Sequence, residues 1–191
     1  MKAQASSSVK FTYEDFLLFP DDGKRHEIIG GEHYVTPSPN TNHQAVSGNL
    51  FGLLWTHLRR HPIGRIFAAP FDVVFSDLDV VEPDLLYISR ERFEVLTRKH
   101  VRGAPDLVIE ILSPGTRRTD EMTKRKLYER FGVLEYWVVD PELDAIKVYR
   151  RGEQNTFVRV EELTLEHEDV LTTPLLPGWS APLAGVFASP L

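Results

Sequence analysis

The sequence of 191 residues contains no cysteine. This absence excludes disulfide bonds, a cysteine nucleophile and thiolate zinc sites, so any metal must be held by oxygen or histidine ligands. The sequence also lacks any run that approaches roughly 18 apolar residues, which argues against a membrane-spanning helix. The first residues, MKAQASSSVKF, have no apolar core of the kind that a signal peptide needs. We therefore expect a cytoplasmic protein that does not associate with a membrane.

An excess of positive charge is also lacking, because the formal net charge is −6. On its own this argues against a nucleic-acid partner, since an acidic surface repels a polyanion. The positive charges are concentrated, however: residues 98–130 carry nine Lys or Arg against five acids. This segment predicts either a phosphate-binding patch or a solvated helix face with ion pairs such as Glu121 to Arg125.

Length and composition predict one globular domain. Hydrophobic residues make up 42% of the chain and charged residues 26%, which is typical of a folded protein with one sizeable core. We expect residues 1–10 to form a flexible N-terminal arm and residues 11–191 to form the domain.

The spacing of apolar residues predicts the order of the elements. RHEII and EHYVT flank Gly30-Gly31 and indicate a β-hairpin. A helical stripe over residues 43–60 precedes three β-rich runs, IFAAPFDVVF, VEPDLLYI and PDLVIEIL. A second helix over residues 120–131 and the strand EYWVVD follow. This order predicts an α/β fold with a central mixed β-sheet flanked by helices, an N-terminal hairpin and a C-terminal β extension.

Two carboxylates occupy positions in the predicted sheet core. Asp84 opens PDLLYI, and Glu110 lies in the middle of DLVIEIL. Either acid alone is commonly a structural ion-pair partner, whereas the two together indicate a shared site. Asp106 shares a strand face with Glu110, but the rise of a strand separates them by roughly 13 Å, too far for one cation. Asp84, on a neighbouring strand, can lie directly across from Glu110.

Lys124 belongs to the helical stripe that should face the sheet, together with Asp120, Leu127, Tyr128 and Phe131. A lysine there needs an anion. It forms a buried salt bridge with Asp84 or Glu110, or it polarises a phosphate and an attacking water beside a metal. Lys126 lies about 200° around the helix and should face solvent. Two carboxylates with a carbonyl and waters describe a Mg²⁺ site.

These residues resemble a known group of enzymes. Pro83-Asp84, with Glu110 in a later strand, is similar to the PD-(D/E)XK nuclease superfamily. HEIIGGE, VEPDLLYI, GAPDLVIEILSPGT and GVLEYWVVDP more closely resemble the bacterial family called Uma-two, which is classed with the restriction endonucleases, over about residues 10–187. The superfamily places a lysine two residues after Glu110, where this sequence has Leu112; in the resembled family Lys124 matches the position that takes over its role.

The resemblance implies an endonuclease that depends on Mg²⁺ or Mn²⁺ and hydrolyses DNA phosphodiester bonds. Asp84, Glu110 and the backbone carbonyl of Ile111 would bind the metal, and Lys124 would stabilise charge on the phosphate. Three arginines would position the DNA backbone without reading bases, namely Arg117, Arg118 and Arg125. Cutting both strands of a duplex predicts a homodimer.

Other candidates and alternatives stay open at this point. His43 lies on the inner stripe of the first long helix. It either orients a phosphate or water near the site, or it is a helix-capping residue whose hydrogen bonds are made within the protein. Glu27 matches a family position and supplies an acid for a second metal, or it is a surface strand acid. Tyr136 and Trp137 are expected in the core. The whole chain is alternatively a non-catalytic module for dimerisation or nucleic-acid binding, or a hydrolase of small phosphoesters.

Overall fold

The computed structural model describes residues 9–36 and 38–188. The predicted N-terminal arm, residues 1–10, therefore lies largely outside the described residues, and the division into an arm and one domain stays a prediction. In the described part of the chain, no helix is both long enough and apolar enough to cross a membrane.

The helices are α1 (Tyr13–Phe16), α2 (Thr41–Arg60), α3 (Arg125–Phe131) and α4 (Leu183–Val186), with a 3₁₀ helix at Arg90–Val95 and a π-helix at Thr119–Lys124. The strands are β1 (Arg25–Ile29), β2 (Glu32–Thr36), β3 (Gly64–Ala68), β4 (Val73–Ser76), β5 (Asp79–Val81), β6 (Leu85–Ser89), β7 (Val101–Arg102), β8 (Leu107–Ile111), β9 (Glu135–Asp140), β10 (Ala145–Arg151), β11 (Phe157–Thr164), β12 (Val170–Thr172) and β13 (Ser180–Pro182).

The predicted central mixed sheet has six strands in the order β11-β10-β9-β8-β6-β3. Strands β8 and β9 are parallel, and the other neighbours are antiparallel. The predicted hairpin of β1 and β2 belongs to a second, five-stranded sheet in the order β2-β1-β5-β4-β7. The C-terminal β extension comprises β11 and the pair β12 and β13.

Two of the predicted β-rich runs are divided between the two sheets. IFAAPFDVVF forms β3 in the six-stranded sheet and β4 in the five-stranded sheet, and Pro70, which has no N–H to donate to a ladder, lies between them. The chain returns from β5 to β6 through Glu82, Pro83 and Asp84. Asp84 therefore lies where the two sheets meet.

The two faces of the six-stranded sheet carry separate cores because side chains alternate along a strand. Leu107, Ile109 and Ile111 of β8 pack in the cluster that includes the inner stripe of α2. Val108 and Leu112 pack in the cluster that includes α3 and the five-stranded sheet. The alternation places Glu110 on the α3 side.

The second predicted helix begins as the π-helix and continues as α3. Its last helical residue is Phe131, and Gly132 follows as the predicted C-cap, with a φ of 90° in the left-handed region. Its buried side carries Asp120, Lys124 and Tyr128, whereas Lys126 is exposed as expected. Tyr136 and Trp137 are completely buried, which confirms that they belong to the core.

Candidate active site

Asp84 lies directly across the sheet from Glu110. Strands β6 and β8 are antiparallel with Leu85 opposite Ile109, so the next pair along the ladder is Asp84 and Glu110. The Asp84 carboxylate is buried and accepts hydrogen bonds from Arg25 Nη1 at 2.8 Å and the Ile111 backbone N–H at 2.8 Å. The register therefore brings the two predicted acids together at the end of β8.

Three neighbours of Asp84 keep it ionised. Burial alone would raise the pKa of Asp84, but the hydrogen bond from His43, the charge of Arg25 and the Ile111 N–H outweigh burial and lower the pKa to about 2. Arg25 is held between Asp84 and Glu82, whose Oε1 lies 2.8 Å from Arg25 Nε. Asp84 is thus a fixed negative charge.

Lys124 is the centre of a cluster of buried carboxylates. Its Nζ lies 2.8 Å from Glu27 Oε1, 3.1 Å from Glu110 Oε1 and 3.6 Å from Asp120 Oδ1. The Tyr128 hydroxyl donates a second hydrogen bond to Glu110 Oε1. Helix and sheet therefore meet through charged groups at this point.

Glu27 is not the surface acid that one interpretation of the sequence favoured. It is 1% exposed, it pairs with Lys124, and its Oε1 accepts the backbone N–H of Glu82 at 2.9 Å. The alternation of strand β1 turns Glu27 to the same side as Arg25, towards the junction of the two sheets. That surface interpretation is wrong, because the π-helix packs over this side of the hairpin and places Lys124 against Glu27.

The cluster holds more negative than positive charge. Four carboxylates, those of Glu27, Asp84, Glu110 and Asp120, face only two cations, Arg25 and Lys124. One lysine cannot keep three buried acids ionised at no cost. Counted formally, these groups therefore carry two negative charges in excess.

The excess of acid shifts the pKa values in the cluster. Burial raises the pKa of Glu110 to about 8; the charge of Lys124 opposes the rise, and those of Asp120 and Asp84 add to it. Burial likewise raises the pKa of Asp120 to about 6 against the charge of Lys124. Burial disfavours the charged form of Lys124, but the surrounding carboxylates, Glu110 and Glu27 foremost, raise its pKa well above its ordinary value.

A cavity of about 190 Å³ opens over this cluster. Its charged lining consists of Arg25, Asp84, Glu110, Asp120 and Lys124. The remaining wall is formed by residues 38–40 before α2, by His43, and by the turn at residues 113–116 after β8. The buried acids can therefore meet a ligand from solvent.

His43 lies at the entrance of the site on the first turn of α2. Asn40 caps this helix and accepts the His43 backbone N–H at 2.9 Å, so the cap itself is Asn40 and not His43. The imidazole Nε2 lies 3.2 Å from Asp84 Oδ2. Its buried Nδ1 has no hydrogen-bond partner among the residues that the structure describes.

The donor set fits a hard divalent cation, which prefers carboxylate and carbonyl oxygens with water. Asp84, Glu110, Asp120 and Ile111 all line the cavity. In residues 9–36 and 38–188, no group of three or more His, Asp or Glu side chains has the spacing of a preformed metal site. The protein cations Arg25 and Lys124 instead hold the acids. The metal-binding role of Asp84, Glu110 and the Ile111 carbonyl stays a prediction.

The three arginines predicted to contact DNA have different surroundings. Arg117 pairs with Asp140 at 2.5 Å and Glu142 at 3.2 Å. Arg125 donates to the Glu121 carbonyl and stacks on the Tyr149 ring with 5.4 Å to the centroid. Arg118 is exposed. Their predicted contacts with a DNA backbone stay predictions.

Three members of the cluster are not among the predicted site residues, namely Arg25, Asp120 and Tyr128. Asp120 and Tyr128 lie four residues to either side of Lys124, so their place on the buried stripe was a usable signal. Arg25 lies two residues before Glu27 on the same strand and shares its face. Nothing in the sequence shows what that face meets.

Comparisons with known proteins agree with this architecture. The model of the Uma2 family, described as "Putative restriction endonuclease", matches residues 13–184. A search of curated proteins finds no significant match.

Two solved structures are similar to the chain. One is "a putative nuclease belonging to DUF820 from Anabaena variabilis ATCC 29413", with a TM-score of 0.77 and 22% identity over 93% of this chain and 97% of that chain. The other is the type IIG restriction endonuclease BpuSI, with a TM-score of 0.40 and 12% identity over 64% of this chain and 13% of that chain. The first likeness confirms the predicted restriction-endonuclease-like fold. Since the family model covers most of its length, the chain belongs to the Uma2 family.

Proposed function

We propose that the protein is an endonuclease that hydrolyses DNA phosphodiester bonds with the help of Mg²⁺ or Mn²⁺. The observation that carries this proposal is the convergence of three buried carboxylates, those of Asp84, Glu110 and Asp120, and of Lys124 on a cavity open to solvent, with Glu27 behind Lys124. A purely structural network has no need of acids in excess of its cations, whereas a site for a divalent cation does. Membership of the Uma2 family supports the same chemistry.

Asp84 and Glu110 would hold the metal, with the carbonyl of Ile111 as a further ligand. Asp120 also lines the cavity and is a fourth oxygen donor there. When bound, a divalent cation supplies charge stabilisation to a phosphate and lowers the pKa of a water nucleophile. The excess of carboxylate over protein cation is the charge that such an ion would neutralise.

Lys124 would stabilise the negative charge that develops on the phosphate. The strand position of the superfamily's lysine is occupied by Leu112, which is buried in the core and cannot perform this role. Lys124 reaches Glu110 from the helix, so its ammonium is beside the same acid. The carboxylates around it keep it protonated and fixed in place, as an electrostatic catalyst requires.

The direct test is the nicking of supercoiled plasmid DNA by purified protein in Mg²⁺ or Mn²⁺. We expect Glu110→Gln to abolish cleavage. The matched control is Glu135→Gln, because Glu135 is also a buried strand glutamate but binds Trp137 and Arg150 on β9 and β10. It should cut at nearly the wild-type rate. Absence of cleavage by the wild type with either metal, or equal cleavage by Glu110→Gln, would contradict the proposal.

One observation favours a second candidate, a non-catalytic nucleic-acid-binding module. Arg25 and Lys124 already satisfy Asp84, Glu27 and Glu110 inside the protein. Wild-type protein that shifts plasmid in a gel but never nicks it would support this candidate. Hydrolysis of bis(p-nitrophenyl) phosphate without cleavage of plasmid would instead indicate a small-phosphoester hydrolase.

A further inference from the structure

Helix α2 belongs to a long segment without acidic residues. The chain has 28 Asp and Glu, yet none lies between Glu32 and Asp72. This segment contains all of α2, which ends in Arg59 and Arg60. In a protein with a net charge of −6, α2 therefore presents a surface on which a polyanion meets no carboxylate of the helix itself.

One side of α2 carries a row of side chains beside its buried stripe. The row consists of Gln44, Ser47, Phe51, Trp55 and Arg59, spaced three or four residues apart and hence on one side of the helix. The rings of Phe51 and Trp55 stack with centroids 5.9 Å apart and 14° between their planes. The Arg59 guanidinium lies over the Trp55 ring at 5.9 Å.

Trp55 is 46% exposed, although burial of its large ring would stabilise the fold. The other two tryptophans behave differently, because Trp137 is completely buried and Trp179 is 6% exposed. Exposed aromatic rings accompanied by arginine are a feature of single-stranded nucleic-acid sites, in which bases stack on the rings.

A groove of about 620 Å³ extends from the candidate active site to Gln44, Ser47 and Phe51 of this row, and Trp55 and Arg59 continue the row beyond its lining. The groove together with this continuation is here called the α2 groove. Its inner end is lined by Arg25, His43 and Asp84, which also line the smaller cavity over the acid cluster. Its walls include Gln44, Ser47 and Phe51 of α2 and residues 68–70, and the rest of its lining includes Asp21, Lys24 and Glu82. A chain that enters the active site can therefore continue along α2.

We propose that the α2 groove binds single-stranded DNA on one side of the scissile phosphate, with unpaired bases stacked on Phe51 and Trp55. This inference rests on the proposed function, since Asp84 marks the position of that phosphate. The row from Gln44 to Arg59 extends over roughly 22 Å of helix, which leaves room for several nucleotides. In a duplex the base faces are already stacked on one another, so only unpaired bases can use these rings.

The test uses the intrinsic fluorescence of the wild-type protein in EDTA, where no metal supports cleavage. The probes are an oligo(dT) of about ten nucleotides, in the range of roughly 4–16 that single-strand sites cover, and a hairpin duplex of equal length. Because Trp55 is the exposed tryptophan, we expect oligo(dT) to quench the fluorescence and the duplex to leave it nearly unchanged.

Affinity is measured separately from the anisotropy of a labelled oligo(dT). Trp55→Leu should raise the Kd about tenfold and remove the quenching, whereas Trp55→Phe should keep most of the affinity because a ring remains. Arg59→Gln should also weaken binding. Its matched control is Arg65→Gln, because Arg65 lies on β3, stacks over Phe93 instead and is not part of the row on α2.

Equal quenching by the duplex, or an unchanged Kd for Trp55→Leu, would overturn this inference. The binding assay contains no metal, so its outcome is independent of cleavage. Trp55-dependent binding by a protein that never cuts would overturn the proposed function alone. Cleavage without Trp55-dependent binding would overturn the α2 groove as the path of the strand.

Discussion

Two Pro-Asp pairs, Pro83-Asp84 and Pro105-Asp106, precede the neighbouring strands β6 and β8. Because these strands are antiparallel, the two aspartates lie at opposite ends of the same part of the sheet. Their immediate surroundings are nearly the same. Each buried carboxylate accepts one backbone N–H, from Ile111 or from Ser89, and one arginine.

The Asp84 end and the Asp106 end of the sheet differ in the residues that surround these immediate hydrogen-bond partners. Asp84 is beside His43 and across from Glu110, with Asp120 and Lys124 on the far wall of a shared cavity. Asp106 is held by Arg92, which also binds the Ala104 carbonyl, and by the Ser89 N–H. The motif itself therefore does not distinguish the two ends; the candidate site exists at one end because the helix and the second sheet pack over it.

The largest difference between the two ends is expected in catalysis. Asp84→Asn should lower the rate of plasmid cleavage by roughly a thousandfold or more, because it removes a carboxylate ligand of the metal that stabilises the charge on the phosphate. Asp106→Asn makes the same chemical change at the other end and should alter the rate by less than about threefold, apart from any loss of folded protein. Comparable losses in both variants, measured on protein shown to be folded by circular dichroism, would refute the assignment of Asp84.

The cations of the two ends should differ in their effect on stability. Lys124→Met leaves Glu27, Glu110 and Asp120 without their shared ammonium and should lower the free energy of unfolding by roughly 3–5 kcal/mol.

The matched change at the other end is Arg92→Met, which takes the arginine from one buried carboxylate, that of Asp106, instead of three; Arg92 itself is 31% exposed. It should cost less, roughly 1–2 kcal/mol. Urea denaturation at pH 8 measures both. Equal losses would mean that the acid cluster is no more strained than an ordinary half-buried ion pair.

A pH titration sharpens the comparison further. The folded protein raises the pKa of Glu110 from 4.5 to about 8, so the stability that this group contributes is complete below pH 4.5 and is lost as the pH rises through 8. In EDTA the wild type should therefore lose roughly 2–4 kcal/mol of unfolding free energy between pH 5 and pH 8, since one pKa unit corresponds to about 1.4 kcal/mol.

Glu110→Gln should reduce that slope, because the amide cannot ionise, and should be neutral or stabilising at pH 8. A loss of several kcal/mol in Glu110→Gln would instead show that the carboxylate serves mainly as the structural partner of Lys124. That outcome would also favour the non-catalytic module.

Some members of this site could be predicted because they violate the pattern of their own element. Glu110 interrupts a strand whose other residues are all buried and aliphatic, and Lys124 interrupts the buried stripe of its helix. The preference for Asp84 over Asp106 followed from the rise of a strand alone. In each case the neighbours along the chain define the buried face.

Other members could not be predicted, because their partners are distant in sequence. The side chains of strand β1 alternate between its two faces as predicted, and Arg25 and Glu27 share one face. That face is buried only because Ile28 pairs with Val80 of β5, and the five-stranded sheet then packs over α3. The division of IFAAPFDVVF between two sheets likewise depends on tertiary packing and not on the local sequence. Apolar periodicity describes each strand and contains no information on which sheet it joins.

The smallest expected effect is the response to metal, and it should be confined to one end of the sheet. A cation that binds only the folded state stabilises it by RT ln(1 + [L]/Kd), which is about 1.4 kcal/mol at ten times the Kd. Mg²⁺ should therefore raise the melting temperature of the wild type and of Asp106→Asn by a few degrees. Asp84→Asn should not respond, because the ion loses one of its two main carboxylates while the Asp106 end is unchanged. A shift that persists in Asp84→Asn would place the metal elsewhere. The carboxylates around Lys124 would then form only an ion-pair network, in which partial protonation of Glu110 offsets the excess negative charge.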